Sequence, residues 1–472
     1  MKGLSKKILY LSAAGIIPAV FNYSFAAGFG LYEQSADRLG TSYAGVTAAA
    51  ETVSTTFTNS AGLTRFSNHQ LSIFGAGIFP EMKLKTDTAL TSLGTPVAGK
   101  NNEQAAQDAV VPALYVGGPI TNRLFYGMAV TVPFGLQTEY GKDMKARYAA
   151  TKSSVETIDI NPNLAYKMTD KVSASVGISA QYIEAKLDRA IDGSALCFSG
   201  VFSGAVAQGA SASNATAAAT AACSAVGLGT PGVAATDGLA KNKADNWGYG
   251  ANLGFLYEAD ENTRFGLSYR SAIKHTAKGK IKISLPGVYD TNANLGQIVN
   301  TLSLKNQKVK ATVTVPENIN IGSFKKINDK WDVMADATFV RWSRFSKLSL
   351  KYSDGLATNV TEEKFKNTFK LSFGANYHLA NWMLRFGVAA DKSPVSTKHR
   401  TARLPDDNRL WGSAGFRKEF TPNSSIDVGY AHLWVKSPKI NESAIATPKL
   451  LLKGSYDNQV DILGAQFNFS YA

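Results

Sequence analysis

The side chains that could carry acid–base or metal chemistry are few and widely spaced in this chain. Imidazole groups hold metals or move protons near neutral pH. The sequence has five of them, at His69, His275, His378, His399 and His432. One acidic pair, Asp406-Asp407, lies in the stretch RLPDDNR. No G-x-S-x-G nucleophile turn and no H-E-x-x-H zinc helix accompanies these residues. They therefore predict neither a catalytic group nor a metal site, and no cofactor is expected.

The first 26 residues have the pattern of a secretion signal. MKGLSKK is basic, ILYLSAAGIIPAVF is apolar, and NYSFA ends in small residues, which indicates cleavage after Ala26. A retained membrane anchor is the alternative, but Pro18 interrupts the apolar run and the run is too short for a stable span. We therefore expect residues 1–26 to be a signal peptide and the mature chain to be exported.

Two cysteines, Cys197 and Cys223, lie in a segment, 191–240, that is rich in Ala, Ser and Gly. In an exported chain this pair predicts a disulfide, with free thiols as the alternative. In the chain-entropy model, closing a loop of about 26 residues stabilises the fold by roughly 3 kcal/mol. Metal binding is disfavoured because the segment contains no histidine.

Composition and charge narrow the class of protein further. Apolar residues make up 44% of the chain and charged residues 18%, and no run after the signal reaches the length of a membrane helix. The formal net charge of +14 becomes +11 when the three signal lysines are subtracted, 14 − 3. Nucleic acid is not a partner for an exported chain, so the basic balance predicts contact with an anionic lipid leaflet or an anionic ligand.

The body of the chain alternates between apolar and polar residues. In KVSASVGISAQY, NWGYGANLGFLY and ILGAQFNFSY every second residue is apolar and the intervening ones are polar or glycine. This period of two makes one face of a β-strand apolar. The apolar faces begin and end with aromatic residues, as from Trp247 to Tyr257, which suits the two interfaces of a membrane.

The connections alternate between short turns, such as TDK and DENT, and long loops. This alternation is the plan of a bacterial outer-membrane barrel, and counting the runs gives about 14 strands, an even number. A closed barrel leaves no unpaired strand edge in lipid. We therefore predict an all-β transmembrane antiparallel barrel over 69–472, with strands commonly of about ten to fifteen residues and a Gram-negative outer-membrane location.

Residues 27–68 show neither period and are rich in glycine. A barrel of about 14 strands is too wide for its own side chains to fill, so we expect this segment to fold inside the lumen as a hatch. A disordered periplasmic tail is the alternative, but Phe29, Leu31, Tyr43, Phe57 and Leu63 are unusual for a tail. A general diffusion porin would fit the barrel but not the hatch.

The sequence resembles the FadL family of outer-membrane transporters for long-chain fatty acids and related hydrocarbons. The resemblance covers essentially the whole mature chain and depends on the order of several short motifs. These are AGFGLYEQSADRLGTSYAG, VPFGLQTEY, ARYAA, NPNLAYKMTDKVSASVGISAQYIEAKLDR, RLPDDNRLWGSAGF, IDVGYAHL and ILGAQFNFSY.

The resemblance implies passive transport by a monomer of 14 strands without a cofactor. Substrate would be captured among the extracellular loops, pass to a pocket that the N-terminus closes, and leave sideways through a gap at a kinked third strand. Long-chain fatty acid is the expected substrate, aromatic or alkane hydrocarbon is the alternative, and a lipid hydrolase is less favoured. Lipopolysaccharide, other outer-membrane lipids and, during biogenesis, the barrel assembly machinery are the expected further partners.

The resemblance also assigns residues to the substrate pocket and its gate. Phe29, followed by Leu31, corresponds to the N-terminal part of the pocket, and Pro133-Phe134-Gly135 corresponds to the kink. Proline cannot donate to a strand ladder and glycine tolerates a bulge, which supports the kink. The alternative is a strand that simply ends in loop 137–153. Arg189 matches a carboxylate-binding residue, or alternatively is a rim arginine that meets lipopolysaccharide.

The sequence departs from the family pattern at two places. Asn59-Ser60-Ala61 stands where the hatch usually has Asn-Pro-Ala, so a turn that proline would fix is looser here. The chain ends in Ala472 rather than an aromatic residue, which leaves Tyr471 second from the end.

Overall fold

The computed structural model describes residues 28–443 and 450–472. The predicted signal peptide, 1–26, lies outside the described residues. Within them the chain forms a closed antiparallel barrel of 14 strands, which confirms the predicted fold. Nine strands are continuous: β1 His69–Leu90, β2 Ala109–Pro119, β4 Lys152–Lys167, β5 Val172–Asp192, β6 Asp237–Asp260, β11 Trp382–Asp391, β12 Arg409–Thr421, β13 Ser424–Val435 and β14 Leu451–Tyr471.

The other five strands are interrupted, and each has a lower and an upper segment. They are β3 Leu124–Thr131 and Gly135–Glu139, β7 Thr263–Arg270 and Ile273–Ser284, β8 Gln307–Val315 and Asn318–Lys326, β9 Trp331–Val340 and Lys347–Tyr352, and β10 Asn359–Glu362 and Thr368–Leu379. Two short strands, Asn102–Gln104 and Lys439–Ser443, add to the edges of β1 and β14.

The barrel closes between its first and last strands. β1 pairs with β14 from His69 opposite Tyr471 to Leu90 opposite Leu451. Strands reach 24 residues in β6, longer than the predicted ten to fifteen. The extra length lies at the end that carries the long loops, where the strand sequence is polar and lacks the lipid-facing pattern.

Side chains alternate between the lipid and the lumen as the sequence predicted. On β10, Phe369, Leu371 and Phe373 are exposed on the outer wall, whereas Lys370 and Ser372 are buried inside. The same alternation on the other strands gives an apolar outer surface and a polar lumen, the reverse of a soluble protein.

Helices occur in the lumen segment and in the loops. The lumen segment contains Ala36–Leu39, Thr55–Thr58 and a 3₁₀ turn over Ser60–Arg65. The long loops contain Gly193–Ala207, Ala212–Ala225, Val288–Thr291 and Ala293–Thr301, together with 3₁₀ turns at Ala234–Thr236, Trp342–Arg344 and Thr397–His399. Across the described ranges no helix is both long and apolar enough to cross a membrane.

Residues 28–66 are mostly buried and pack against the inner wall. Two wall glycines permit this close approach, because a Cβ on Gly266 would collide with the carbonyl of Thr47 and one on Gly387 with the backbone of Thr41. Gly28 and Gly45 have left-handed backbone angles, φ +68° and +88°, which favour glycine. The glycines that fit this segment to the barrel therefore lie on both sides of the contact.

A chain of buried charges connects this segment to the wall. Arg38 donates to Glu51 at 2.5 Å, and Glu51 accepts from Arg385 on β11 at 2.8 Å. Arg385 also pairs with Asp427 on β13, which accepts from Arg417 on β12 at 2.9 Å. Arg385 and Asp427 are fully buried, so their charges depend on one another for compensation.

The loop between β5 and β6 spans 193–236, slightly shorter than the predicted 191–240. Its two helices are joined by a Cys197–Cys223 disulfide, which confirms the predicted pairing. The cysteines pack with Leu228, Tyr289 and Leu295, and the last two belong to the loop between β7 and β8. The disulfide therefore lies in an apolar cluster that joins two extracellular loops.

Candidate functional site

The beginning of the described chain pairs with the middle of β3. The Leu31 N–H donates to the Pro133 carbonyl at 2.8 Å, and the Gly135 N–H donates to the Phe29 carbonyl at 2.9 Å. Residues 28–35, which we call the arm, thus supply backbone partners where the proline and the bulge interrupt the barrel ladder.

The ladder between β2 and β3 has a gap at this place. Pairing proceeds from Pro119–Phe125 to Leu114–Val130 and is found again at the isolated Ala106–Thr138 bridge. Residues 107–113 and 131–137 between these pairs face each other without recorded pairing. The predicted Pro133-Phe134-Gly135 segment lies in this gap, and the strand resumes at Gly135 instead of ending in the loop.

On its other side the kink remains attached to β4 through a bulge. Thr131 lies opposite Asp159 and Gly135 opposite Glu156, so β3 has one residue more than β4 between these pairs. The Thr157 hydroxyl bonds both the N–H and the carbonyl of Phe134 at 2.9 Å. A side chain thus replaces part of the ladder that the bulge disrupts.

Phe29 lies in a buried aromatic cluster beside the kink. Its ring centre is 4.8 Å from Trp342, 5.5 Å from Phe345 and 5.8 Å from Phe134. The neighbouring Gly28 N–H donates to Asp406 at 2.8 Å. The predicted Phe29 and Phe134 are therefore in direct proximity, and the arm is fixed to the loop between β11 and β12.

A cavity opens on the luminal side of the arm and the kink. Its free space, counted to its open mouth, is about 1020 Å³. The lining is mixed, with an aromatic and apolar part, a set of amides and hydroxyls, and two cations. The residues used below are Leu31, Tyr32, Tyr43, Asn59, Ser60, Pro133, Phe134, Arg270, Trp342 and Lys370.

The two cations of the cavity differ in their bonding. Arg270 is bonded by its own protein, to Ser179 and the Phe57 carbonyl at 2.8 Å and to Asn161 at 3.0 Å. Lys370 Nζ has no hydrogen-bond partner among the described residues, although its residue is only 2% exposed. Lys370 is therefore the cation of the cavity with unused donors.

Aromatic rings surround the Lys370 ammonium. Nζ lies 4.0 Å from the ring centre of Trp411, 4.1 Å from that of Tyr32 and 4.8 Å from that of Tyr43. Such contacts stabilise a desolvated cation without satisfying its N–H donors. An anionic oxygen that reached Nζ would satisfy those donors, so the geometry suits a carboxylate.

Glu33 adds a titratable group to the arm. Both of its carboxylate oxygens are buried without a hydrogen-bond partner in the described chain. Burial raises the pKa of this carboxyl from 4.5 to about 7, against the opposing effects of its own backbone N–H and of Lys370 and Arg409. The arm therefore carries a group that titrates near neutral pH.

Arg189 lies at the outer end of β5, paired with Ala240 of β6, and is not part of the cavity lining. Asn59 and Ser60 do line it. Asn59 Nδ2 donates to the Thr47 carbonyl at 2.7 Å and to the Phe255 carbonyl at 3.0 Å, while its Oδ1 accepts from Ala61 N–H at 3.3 Å. The turn at 59–61 is thus bonded to β6 without a proline.

Sequence reasoning missed Lys370 and its cage. The signal was present, because Lys370 interrupts the luminal positions of a strand whose other inward residues are small or uncharged, such as Ser372 and Gly374. A lysine on the inward phase has to be compensated inside the lumen. The pattern could not show that Tyr32 and Tyr43, more than 300 residues earlier, provide that environment.

Comparison with known proteins agrees with this geometry. The family described as "Outer membrane protein transport protein (OMPP1/FadL/TodX)" matches residues 18–471. The long-chain fatty acid transport protein of Escherichia coli O6:H1 is 28% identical over 472 residues, covering 99% of this chain and 100% of the relative.

Two solved structures share the fold. The crystal structure of a Pseudomonas aeruginosa FadL homologue superposes with a TM-score of 0.82 at 20% identity, covering 94% of this chain and 100% of that one. The Pseudomonas putida toluene transporter TodX superposes with a TM-score of 0.64 at 14% identity, with the same coverage of both chains. At these identities the two structures support the architecture alone.

Proposed function

The chain belongs to the outer membrane protein transport protein family (OMPP1/FadL/TodX), and we propose that it carries long-chain fatty acids inward across the outer membrane. Membership in this family identifies a transporter of the Gram-negative outer membrane and not an enzyme. The direction of transport, the substrate and the route are our proposal.

The observation that carries the choice of substrate is the unbonded Lys370 ammonium in an apolar cavity. A fatty acid presents one carboxylate and a long apolar chain. The carboxylate would satisfy the Lys370 donors, and the chain would lie against Leu31, Phe134 and Trp342. Burial of the chain drives binding by about 0.8 kcal/mol per methylene, and the ion contact selects the charged end.

A route follows from the gap between β2 and β3. Substrate captured at the extracellular loops descends to the cavity, and the arm then leaves the kink. Because the arm contributes only two backbone hydrogen bonds there, its displacement is inexpensive relative to opening a continuous ladder. The apolar chain exits between residues 107–113 and 131–137 into the membrane, since entry of the free chain into aqueous periplasm would oppose the hydrophobic effect.

Aromatic or alkane hydrocarbons are the alternative substrates. The aromatic lining of the cavity favours them, because Tyr32, Tyr43, Phe134 and Trp342 would contact a neutral ring as well as an acyl chain. The alternative leaves the Lys370 donors unsatisfied in the complex, and for that reason we prefer the carboxylate.

Replacing Lys370 by methionine separates the two substrates. Loss of a charge-assisted hydrogen bond of about 1.5–3 kcal/mol should weaken binding of oleate by roughly 10- to 150-fold. Binding of oleyl alcohol should change little, because the apolar stem of the side chain is kept. The measurement is equilibrium binding of both labelled ligands to the purified protein, with Lys330→Met at an exposed periplasmic turn as the control. Equal losses for acid and alcohol, or no loss for oleate, would refute the carboxylate assignment.

A further inference from the structure

One side of the outer wall is strongly basic toward its extracellular end. On β6, Lys241 and Lys243 are exposed while Asn242 and Ala244 between them are buried. β7, β8 and β9 continue this arrangement, so the lysines point away from the lumen. We call this set the lysine grid: Lys241, Lys243, Lys278, Lys280, Lys282, Lys308, Lys310 and Lys351.

The strand register brings these lysines directly opposite one another. Lys310 lies between Lys278 and Lys351. Lys280 lies between Lys243 and Lys308, and Lys282 lies opposite Lys241. Opposite residues on neighbouring antiparallel strands have Cβ atoms about 5 Å apart, and like charges in such pairs destabilise a sheet.

Few carboxylates compensate the grid from within the protein. Glu184 on β5 pairs with Lys243 at 2.9 Å, and Asp245 lies opposite Lys278. No ion pair is recorded among the described residues for the other members of the grid. The repulsion between facing lysines is therefore largely uncompensated unless an external anion binds there.

The height of the grid indicates which anion is available. Tyr182 and Trp247 pack on the outer wall with ring centres 5.5 Å apart, and Tyr249 beside them is 74% exposed. Such an aromatic pair marks the membrane interface. Asp245 and Lys243 follow Trp247 on the outer face in the direction of the extracellular loops, which places the grid at and above the headgroups of the outer leaflet.

We propose that the lysine grid is a binding site for the phosphate groups of lipopolysaccharide. Several flexible ammonium groups spaced about 5 Å apart between strands and about 7 Å apart along them can surround each phosphate. Bound phosphate removes the repulsion between facing lysines and fixes this side of the barrel in the outer leaflet. The site faces lipid and not the barrel mouth, so its role is separate from substrate capture.

The test removes three central charges, in the variant Lys278→Gln/Lys280→Gln/Lys310→Gln. The control, Lys171→Gln/Lys325→Gln/Lys330→Gln, removes three lysine charges at the periplasmic ends of hairpins. Each full-length protein is purified in detergent, stripped of lipid, and titrated with labelled lipopolysaccharide, with the same molecule lacking its lipid A phosphates, and with phosphatidylglycerol.

At about fivefold per lysine near an anionic surface, the grid variant should bind lipopolysaccharide on the order of a hundredfold more weakly than wild type. The control should bind like wild type, and dephosphorylated lipopolysaccharide should not distinguish the three proteins. Equal binding by the grid variant and the control would overturn the proposal. So would a preference of the wild type for phosphatidylglycerol, which would make the grid a general anionic-lipid surface. A matching β-sheet spectrum and heat-dependent gel mobility establish that the variant is folded.

Discussion

At the scale of single residues, the chemistry of the lumen is decided by groups that burial leaves short of partners. Lys370 keeps its donors unused inside an aromatic cage. Glu33 keeps both oxygens unbonded, and its raised pKa is the direct consequence of lost hydration. These two groups lie on opposite components of the site, since Lys370 belongs to the wall and Glu33 to the arm.

The pKa of Glu33 predicts how stability depends on pH. The folded state holds this proton up to about pH 7, whereas the unfolded state releases it near the model value of 4.5. The folded state therefore binds more protons between these values, and its stability should fall as pH rises through that window. Glu33→Gln should remain neutral and lose that part of the dependence. Thermal midpoints of both proteins in detergent from pH 4 to 8 provide the measurement.

The exposed Glu261→Gln is the control for this comparison and should follow the wild-type profile. Lys370, Arg409 and Asp391 also act on the Glu33 carboxyl, so the difference between profiles is the informative quantity. Parallel profiles for wild type and Glu33→Gln would show that Glu33 does not hold its proton in this range.

At the scale of elements, the third strand combines a proline, a bulge and an added segment of chain. The bulge leaves one unmatched residue between Thr131 and Gly135, and the arm occupies the edge that results. The interruption is thus built into the count of residues along β3. It does not require a conformational change to exist, but the arm must move for substrate to use it.

Deleting Gly135 should restore the count and straighten β3. The ladder to β2 could then continue past Leu114–Val130 and close the gap. We expect loss of fatty acid uptake by cells, while the purified barrel still binds oleate. Deletion of Gly94, in an exposed loop with no close neighbour for a side chain, is the control and should leave uptake intact. Normal uptake by an assembled Gly135 deletion would exclude lateral exit.

The disulfide predicts a local effect on the extracellular loops. Cys197→Ser/Cys223→Ser removes a constraint worth roughly 3 kcal/mol in the unfolded loop. Because the cysteines pack with Tyr289 and Leu295, both the 193–236 and 285–306 loops should exchange amide hydrogens faster. The strands should keep their protection, which serves as an internal reference. Unchanged exchange in both loops would mean that apolar packing alone holds them.

At the scale of the whole molecule, the lumen segment is fixed at two ends of its course. The arm is held at the kink, and Arg38 and Glu51 are held by the charges of β11, β12 and β13. Removing one member of a buried charge network leaves uncompensated charges and commonly destabilises by about 3–5 kcal/mol. The segment should therefore stay in place while the arm alone moves.

Arg385→Met tests whether this network keeps the lumen closed. The change leaves Glu51 and Asp427 without their shared partner, so the segment should loosen and single-channel ion conductance in planar bilayers should rise. Arg123→Met, at an exposed periplasmic turn, is the control and should keep wild-type conductance. A closed channel in an assembled Arg385→Met protein would show that packing against Gly266 and Gly387 is sufficient.

The sequence alone determined the architecture, because the relevant signals are local. Period-two alternation assigns each residue to lipid or lumen, turn lengths assign each end of a hairpin, and an exported cysteine pair indicates its own disulfide. Pro133 and Gly135 indicated the kink, since their effect on a ladder is a property of the residues themselves. These parts of the fold needed no knowledge of distant contacts.

The tertiary structure decided which distant residues meet at one depth of the lumen. Alternation places Lys370 and Arg189 on the inward phase alike, but strand stagger and register set their heights. Those offsets bring Lys370 to Tyr32 and Tyr43 and leave Arg189 at the outer end of β5. The same register turns scattered outward lysines into facing pairs. A periodic pattern fixes the face of a residue but not its partner across the barrel, because that partner is set by how the whole sheet closes.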